Sequence, residues 1–487
     1  MTFKTIFIII SILIANSNKN PDLLTVTEEI QNYPALQNGR WSIYAKNLTQ
    51  DRVILNINSN KCMIPASNLK LFTSAIALDQ LGINFTMKTT LGYSGTIDSR
   101  GVLNGNIILK GTGDPTLGSP NFDTVPSMDS LFTLFVEAIQ AHRIQHIEGD
   151  IIADDSYLDY MPLPGGWSWT DIGNYYAPLT SALTIHENLY YLFFRPALYT
   201  GGPAEIIRVE PEIPGLSFFN HMRTGPIGSG DNGYIYGAPW QYLHQLEGTV
   251  PAGVPEFSIK GSLPDPALFA VQSLKKEIEQ TGIKINGDAK TYRTSPPPNM
   301  NIRNILTIES PPLRDIVYYL NKTSANLYAE QLLKVVAKEK HLSGDLDTGI
   351  ELIEEWLEGK NITTDGLYMY DASGLSYLDR VTTYVMVDFL EKLTHEPFFE
   401  SFYESLPIAG DTDDPGTLSS LCRGTRAAGN LRAKTGSLDR IRALSGYVHS
   451  VSGDMIAFSM IANDYSGSSR VINRLHEKMM IKLADIL

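Results

Sequence analysis

The stretch Ile441–Ala462, IRALSGYVHSVSGDMIAFSMIA, contains two runs, Ile441–Ser450 and Asp454–Ala462, that alternate apolar and polar positions around the turn segment Val451–Gly453. This pattern predicts a β-hairpin. Near the other end of the chain Trp41–Lys46 and Arg52–Ile57 do the same around Asn47–Asp51, and hairpins at opposite ends imply one sheet assembled from both termini. Between them, apolar residues fall at helical spacing in Leu69–Leu81, in Leu313–Lys338 with a break near Thr323, in Leu346–Leu357 and in Thr382–Leu393. Helices covering such a sheet give an α+β fold. In the last stretch, Val471–Leu487, Ile472, Leu475, Met479, Leu483 and Ile486 also share a helical face, and Glu477 and Asp485 among its basic residues favour packing on the core over lying on a membrane.

From about Thr90 to Lys290 the texture changes to Gly, Pro and aromatic residues with short strand-like runs, ending at the Pro-rich Ser295–Asn299. The expectation is an inserted region, 91–294, of one or two mostly β lobes. It interrupts a domain built from 18–90 and 295–487, which the chain leaves and re-enters at neighbouring points.

The chain has 487 residues, 43% of them hydrophobic and 19% charged, enough for several domains with sizeable cores. With 39 Lys+Arg against 53 Asp+Glu, a net charge of -14, it lacks the basic footprint of a protein that binds nucleic acid along its length. Residues 1–17, MTFKTIFIIISILIANS, place Lys4 ahead of an apolar run from Ile6 to Ala15, with small residues at Ala15 and Ser17. This predicts a cleaved secretory signal peptide, because the run is too short to span a bilayer. No other stretch is long and apolar enough for an integral membrane segment, so the expected location is extracytoplasmic, periplasmic or secreted. The two cysteines, Cys62 and Cys422, make neither a disulfide framework nor a metal-site spacing, and whether they pair stays open.

Three short motifs carry chemistry. Pro65-Ala66-Ser67-Asn68-Leu69-Lys70 opens an apolar helix, placing Ser67 at a helix start and Lys70 one turn later on the same face. Backbone N–H groups there favour a developing anion, and a lysine of lowered pKa can take the serine proton. Ser324-Ala325-Asn326 sits where two helical segments meet, offering a hydroxyl to relay a proton and an amide to hold a carbonyl. Lys434-Thr435-Gly436 precedes the C-terminal strand pair, where a lysine and a threonine can bind a carboxylate and Gly436 leaves room for another backbone. Each motif alone also fits a helix cap or a strand-end turn.

Together and in this order the motifs resemble the serine penicillin-recognising enzymes. The long separation between the first two, from position 67 to position 324, is similar to that of the class C low-molecular-mass penicillin-binding proteins, D-Ala-D-Ala carboxypeptidases and endopeptidases of the cell wall. LKGTGDPTL, GDIIADDSYLD, GWSWTDIGNYYAP, DASGLS, LPIAGDTDDPGTL and AAGNLRAKTGSL extend the resemblance over nearly the whole chain. It implies a transpeptidase-like domain acting on peptidoglycan stem peptides and acylated by β-lactams. Ser67 is the implied nucleophile and Lys70 its proton acceptor. Ser324 would protonate the leaving nitrogen, and Asn326 would position Lys70 and the substrate amide. Lys434 and Thr435 would bind the terminal carboxylate, and the backbone N–H groups of Ser67 and Ser437 would form the oxyanion hole. Water completes the turnover, so no metal or organic cofactor is implied.

Two positions bear on stem-peptide specificity. Tyr377 stands where relatives often carry an arginine that recognises the free end of the stem side chain, leaving Arg380 as a stand-in. Asp155 matches an acidic position expected to face the same pocket. Competing readings are a non-catalytic peptidoglycan-binding or β-lactam-sensing protein, and a β-lactamase or esterase of the same fold.

Overall fold

The two terminal hairpins meet in one five-stranded antiparallel sheet, in the order Arg432–Leu438, Ile441–His449, Met455–Asn463, Arg40–Asn47, Arg52–Ile57. The structure, a computed structural model, describes residues 21–295, 301–341 and 343–487; the expected signal segment 1–17 and most of the Pro-rich Ser295–Asn299 lie outside them. Strand Arg40–Asn47 pairs with Met455–Asn463 from Arg40 opposite Asn463 to Asn47 opposite Ile456, joining the two ends of the chain.

Successive side chains of a strand point to opposite faces. Trp41, Ile43, Ala45, Phe458 and Met460 enter a core shared with the helices Pro21–Gln31 and Ser469–Ala484. Tyr44, Ala457 and Ile461 enter the other, under helices Lys70–Leu81, Leu313–Thr323, Asn326–His341, Leu346–Gly359 and Thr383–Leu393. The apolar and polar alternation expected of the C-terminal hairpin therefore does not translate into an exposed face. Met455–Asn463 is buried at every residue after its first, because helices cover both sides of the sheet. Its polar residues are paired inside, as Ser445 Oγ and Ser459 Oγ are at 2.8 Å. The C-terminal helix packs on the core through Ile472, Leu475, Met479 and Leu483.

Among the described residues the segment between Lys88 and Glu309 forms four further sheets around a separate apolar core. Two helices, Met128–Ala141 and Pro266–Gln280, pack against each other within it, so the expected mostly β region has a helical component. Its entering strand, Lys88–Tyr93, pairs antiparallel with its leaving strand, Arg303–Glu309. That pairing draws both strands into the insertion, so the joins expected at 90 and 295 fall inside the first strand and ahead of the second. Both cysteines are free thiols, Cys422 buried and Cys62 half-buried.

Candidate active site

Ser67 lies in a tight turn, Ala66–Leu69, that runs directly into helix Lys70–Leu81. Three groups fasten this turn. Asn68 donates through Nδ2 to the carbonyl of Lys434 at 2.9 Å. Gly436 passes so close that a β-carbon there would stand 2.6 Å from the Pro65 carbonyl oxygen. Gly374, at a φ of 78°, lies against the Ala66 carbonyl, which a side chain would overlap. On the face of the sheet the absence of a side chain at Gly436 admits the turn that carries Ser67, and Arg432–Leu438 is an edge strand.

Lys70 is fully buried, and its three N–H bonds have three acceptors: Ser67 Oγ at 2.9 Å, Asn326 Oδ1 at 2.6 Å and the Ser373 carbonyl at 2.6 Å. Burial pushes this lysine down to about 8, against the opposing pull of Asp371, Glu330 and Asp379. An amine of that pKa has an accessible free base near neutrality. Asn326 opens helix Asn326–His341 and spends its Nδ2 on the Tyr176 carbonyl at 2.6 Å, which fixes its oxygen toward Lys70.

Ser324 occupies the break between helices with a left-handed φ of 62°. That strained corner aims its hydroxyl at Lys434, whose Nζ reaches Ser324 Oγ at 2.9 Å and the Thr435 carbonyl at 3.0 Å. Lys434 is fully buried, and burial, then the neighbouring Lys70, hold it well below the usual lysine range. Thr435 Oγ1 lies 2.7 Å from Thr417 Oγ1, and Ser437 is exposed at the rim.

Beneath Lys70 is a set of acids that the motifs did not reveal. Asp371 accepts N–H bonds from Ser373 at 3.1 Å, Gly374 at 2.6 Å, Ser376 at 2.7 Å and the Trp167 indole at 2.8 Å. Glu330 receives the Ala372 N–H at 3.1 Å on both oxygens; burial, then Asp371, raises its carboxyl to about 8. Burial and Asp371 also raise Asp379 well above the carboxylate range. Glu330 was discoverable in principle, since it lies four residues after Asn326 and so on the same helical face.

A model of the D-Ala-D-Ala carboxypeptidase 3 (S13) family matches residues 24–485, nearly the whole chain. The chain belongs to this family. It is similar to a D-alanyl-D-alanine carboxypeptidase of an Actinomadura species, 28% identical over 461 residues that span 93% of this chain and 82% of the relative. It is also similar to the D-alanyl-D-alanine carboxypeptidase DacB of Haemophilus influenzae, 26% identical over 436 residues, 87% and 85% of the two chains. The fold is similar to that of penicillin binding protein 4 from Haemophilus influenzae, with a TM-score of 0.79 at 24% identity over 94% of this chain and 98% of that one. The chain is a serine D-Ala-D-Ala carboxypeptidase.

In this S13 peptidase Ser67, Ser324, Asn326 and Ser437 line an open cleft of about 980 Å³, with Lys70 and Lys434 buried beneath. The insertion supplies the opposite wall through Asp171, Tyr175 and Tyr176. Asp155 is not in that wall. It is buried beside Arg293, which is 4.0 Å away and ion-paired to Asp265, and burial raises it to about 6. Two acids line the cleft, Asp439 and Asp171; Asp171 belongs to the insertion, lies in GWSWTDIGNYYAP and accepts from the Tyr176 hydroxyl at 3.2 Å. Tyr377 lines the cleft and its hydroxyl accepts the Asp439 N–H at 3.2 Å. Arg380 is not in the lining of the cleft; its Nη1 donates to the carbonyls of Tyr377 and Asp379, both at 2.7 Å. Arg440 and Arg442 supply the guanidinium groups at the cleft instead.

Proposed function

We propose that this peptidase acts on the stem peptides of bacterial peptidoglycan through a Ser67 acyl-enzyme, and that β-lactams acylate the same serine. The observation that carries the reading is the buried Lys70 Nζ, in hydrogen-bond reach of both Ser67 Oγ and Asn326 Oδ1. A solved penicillin binding protein 4 of Haemophilus influenzae, of TM-score 0.75 and 23% identity, is complexed with a β-lactam, which supports the second half of the proposal.

In the proposed sequence Lys70 Nζ takes the Ser67 proton as Oγ attacks the penultimate D-Ala carbonyl. The carbonyl oxygen, now an anion, faces the backbone N–H groups of Ser67 and Ser437, which stabilise it most when the charge is greatest. Ser324 Oγ, bonded to Lys434, delivers a proton to the leaving nitrogen. The terminal carboxylate meets Lys434 and Thr435, and its charge favours the ammonium form that burial otherwise disfavours. Asn326 keeps Lys70 in place and receives the substrate amide. Water then takes the acyl group from Ser67. The proposed setting is extracytoplasmic, periplasmic or secreted, after removal of residues 1–17; among the described residues no helix is long and apolar enough to cross a membrane.

Incubation with a fluorescent penicillin, followed by assay of D-alanine release from a peptide ending in D-Ala-D-Ala, tests this. Ser67→Ala abolishes labelling and release. Labelling that survives the substitution removes Ser67 as nucleophile, and labelling without release in the wild type identifies a β-lactam sensor.

A further inference from the structure

We propose that a cavity behind the Ser324–Asn326 turn is a second substrate subsite, which takes the other peptide strand of a cross-linked substrate and meets its carboxylate with Lys260. The proposal rests on the peptidase reading above and addresses what lies beyond the scissile bond.

The cavity has a volume of about 290 Å³, near the lower end of the range for ligand sites. Tyr175, Tyr176, Thr323, Ser324 and Asn326 line both it and the Ser67 cleft. A substrate that extends past the reacting bond thus has a path from one space to the other along shared walls. Removal of a single terminal D-alanine makes no use of that space; opening of a peptide cross-link does.

The far wall follows from strand periodicity. Leu189–Arg195 sends Tyr190, Leu192 and Phe194 into the core of the insertion, which turns Tyr191 outward into the cavity. Lys260 stands opposite Tyr191 in the neighbouring strand, its Nζ 5.3 Å from the centre of that ring and 5.9 Å from the centre of Tyr175. Among the described residues no carboxylate pairs with Lys260. The cavity's own acid, Glu187, is already saturated. Its Oε1 accepts from Ser119 at 2.6 Å, Asn121 at 2.9 Å and Tyr328 at 2.8 Å, and its Oε2 from Tyr319 at 3.3 Å. An unpaired cation between tyrosine faces suits an anionic peptide.

The site is also held in shape at a cost. His186, Glu187 and Asn188 take left-handed φ values of 51°, 53° and 54° in succession, a conformation that non-glycine residues rarely adopt. The four bonds to Glu187 hold that strain in place and tie the insertion to the helices Leu313–Thr323 and Asn326–His341. His186 Nδ1, in the same lining, is buried without a partner. Strained backbone and an unsatisfied polar atom beside a cavity that continues the reaction cleft are features that cluster at ligand clamps.

The test compares wild type, Lys260→Glu and Tyr191→Ala on three substrates: a short peptide ending in D-Ala-D-Ala, a sugar-free D,D-cross-linked peptide dimer, and the same dimer carrying its disaccharides. The expected result is a loss of about tenfold in kcat/KM on both dimers, mainly through KM, with the short peptide and penicillin acylation within twofold of wild type. Equal losses on all substrates, or dimer rates that do not change, overturn the proposal. A loss confined to the disaccharide-bearing dimer assigns the cavity to a saccharide and overturns the peptide assignment. Wild-type protein that is not acylated at all overturns the peptidase reading and this one with it, whereas normal acylation with unaffected dimer cleavage overturns only this one.

Discussion

The side-chain amide of Asn68 donates to the main-chain carbonyl of Lys434 at 2.9 Å, so a buried hydrogen bond fastens the turn bearing Ser67 to the strand bearing Lys434. Asn68→Ala removes that buried bond, which costs about 0.5–1.5 kcal/mol. Denaturant unfolding should show that loss. The rate of acylation by a fluorescent penicillin should fall with it, because the distance between Ser67 and the strand is no longer fixed.

Acylation is expected to rise with pH through the Lys70 pKa. Burial holds the folded-state value at about 8, below the ordinary lysine value of 10.5, so the proton-accepting free base grows as pH increases from 6 to 9 and then saturates. Stopped-flow acylation rates against pH check this; a flat profile across that interval would exclude Lys70 as the proton acceptor.

Glu330→Gln should move the same profile toward lower pH. Burial raises Glu330 itself to about 8, so its charge is present mainly in the upper part of that interval; there the carboxylate favours the Lys70 ammonium, and removing it makes the free base available sooner. Gln keeps the size of the side chain and an acceptor for the Ala372 N–H. A merely structural role for Glu330 would lower the rate without displacing its pH dependence.

Lys322 and Asp414 form a buried ion pair whose side chains are 1% and 2% exposed. Lys322 also donates to the Leu406 carbonyl at 2.7 Å, and Asp414 accepts the Gly416 N–H at 2.8 Å, so the pair anchors the loop that brings Thr417 to Thr435. Lys322→Met strands the Asp414 charge and should destabilise the protein by about 3–5 kcal/mol. Asp414→Asn combined with Lys322→Met should recover part of it, as thermal unfolding of the single and double variants would show.

The catalytic sheet and its helices were legible because their signals are local: apolar periodicity, a break at Thr323, turn residues between strands. The three motifs were legible because each lies within a few residues of sequence. What escaped the reading lies in distances that sequence spacing does not encode. Asp371 and Asp379 act on Lys70 from some 300 positions away, and only the packing of their loop against Ala66 brings them there. The reading singled out Asp155 and passed over Asp171; only the tertiary path puts Asp171 in the cleft and Asp155 against Arg293. The pairing of Lys88–Tyr93 with Arg303–Glu309 joins residues more than 200 positions apart, which no local signal in the sequence marks.

The register of Arg40–Asn47 against Met455–Asn463 also determines when this protein can become active. More than 400 positions separate Arg40–Asn47 from its partner strand, so Ser67 and Lys434 stay apart until that later strand has been made. Such a long loop closure is slow and leaves the first hairpin with an open edge in the interval. Assembly of the site therefore waits for Met455–Asn463, a delay that follows from the order of the strands along the chain.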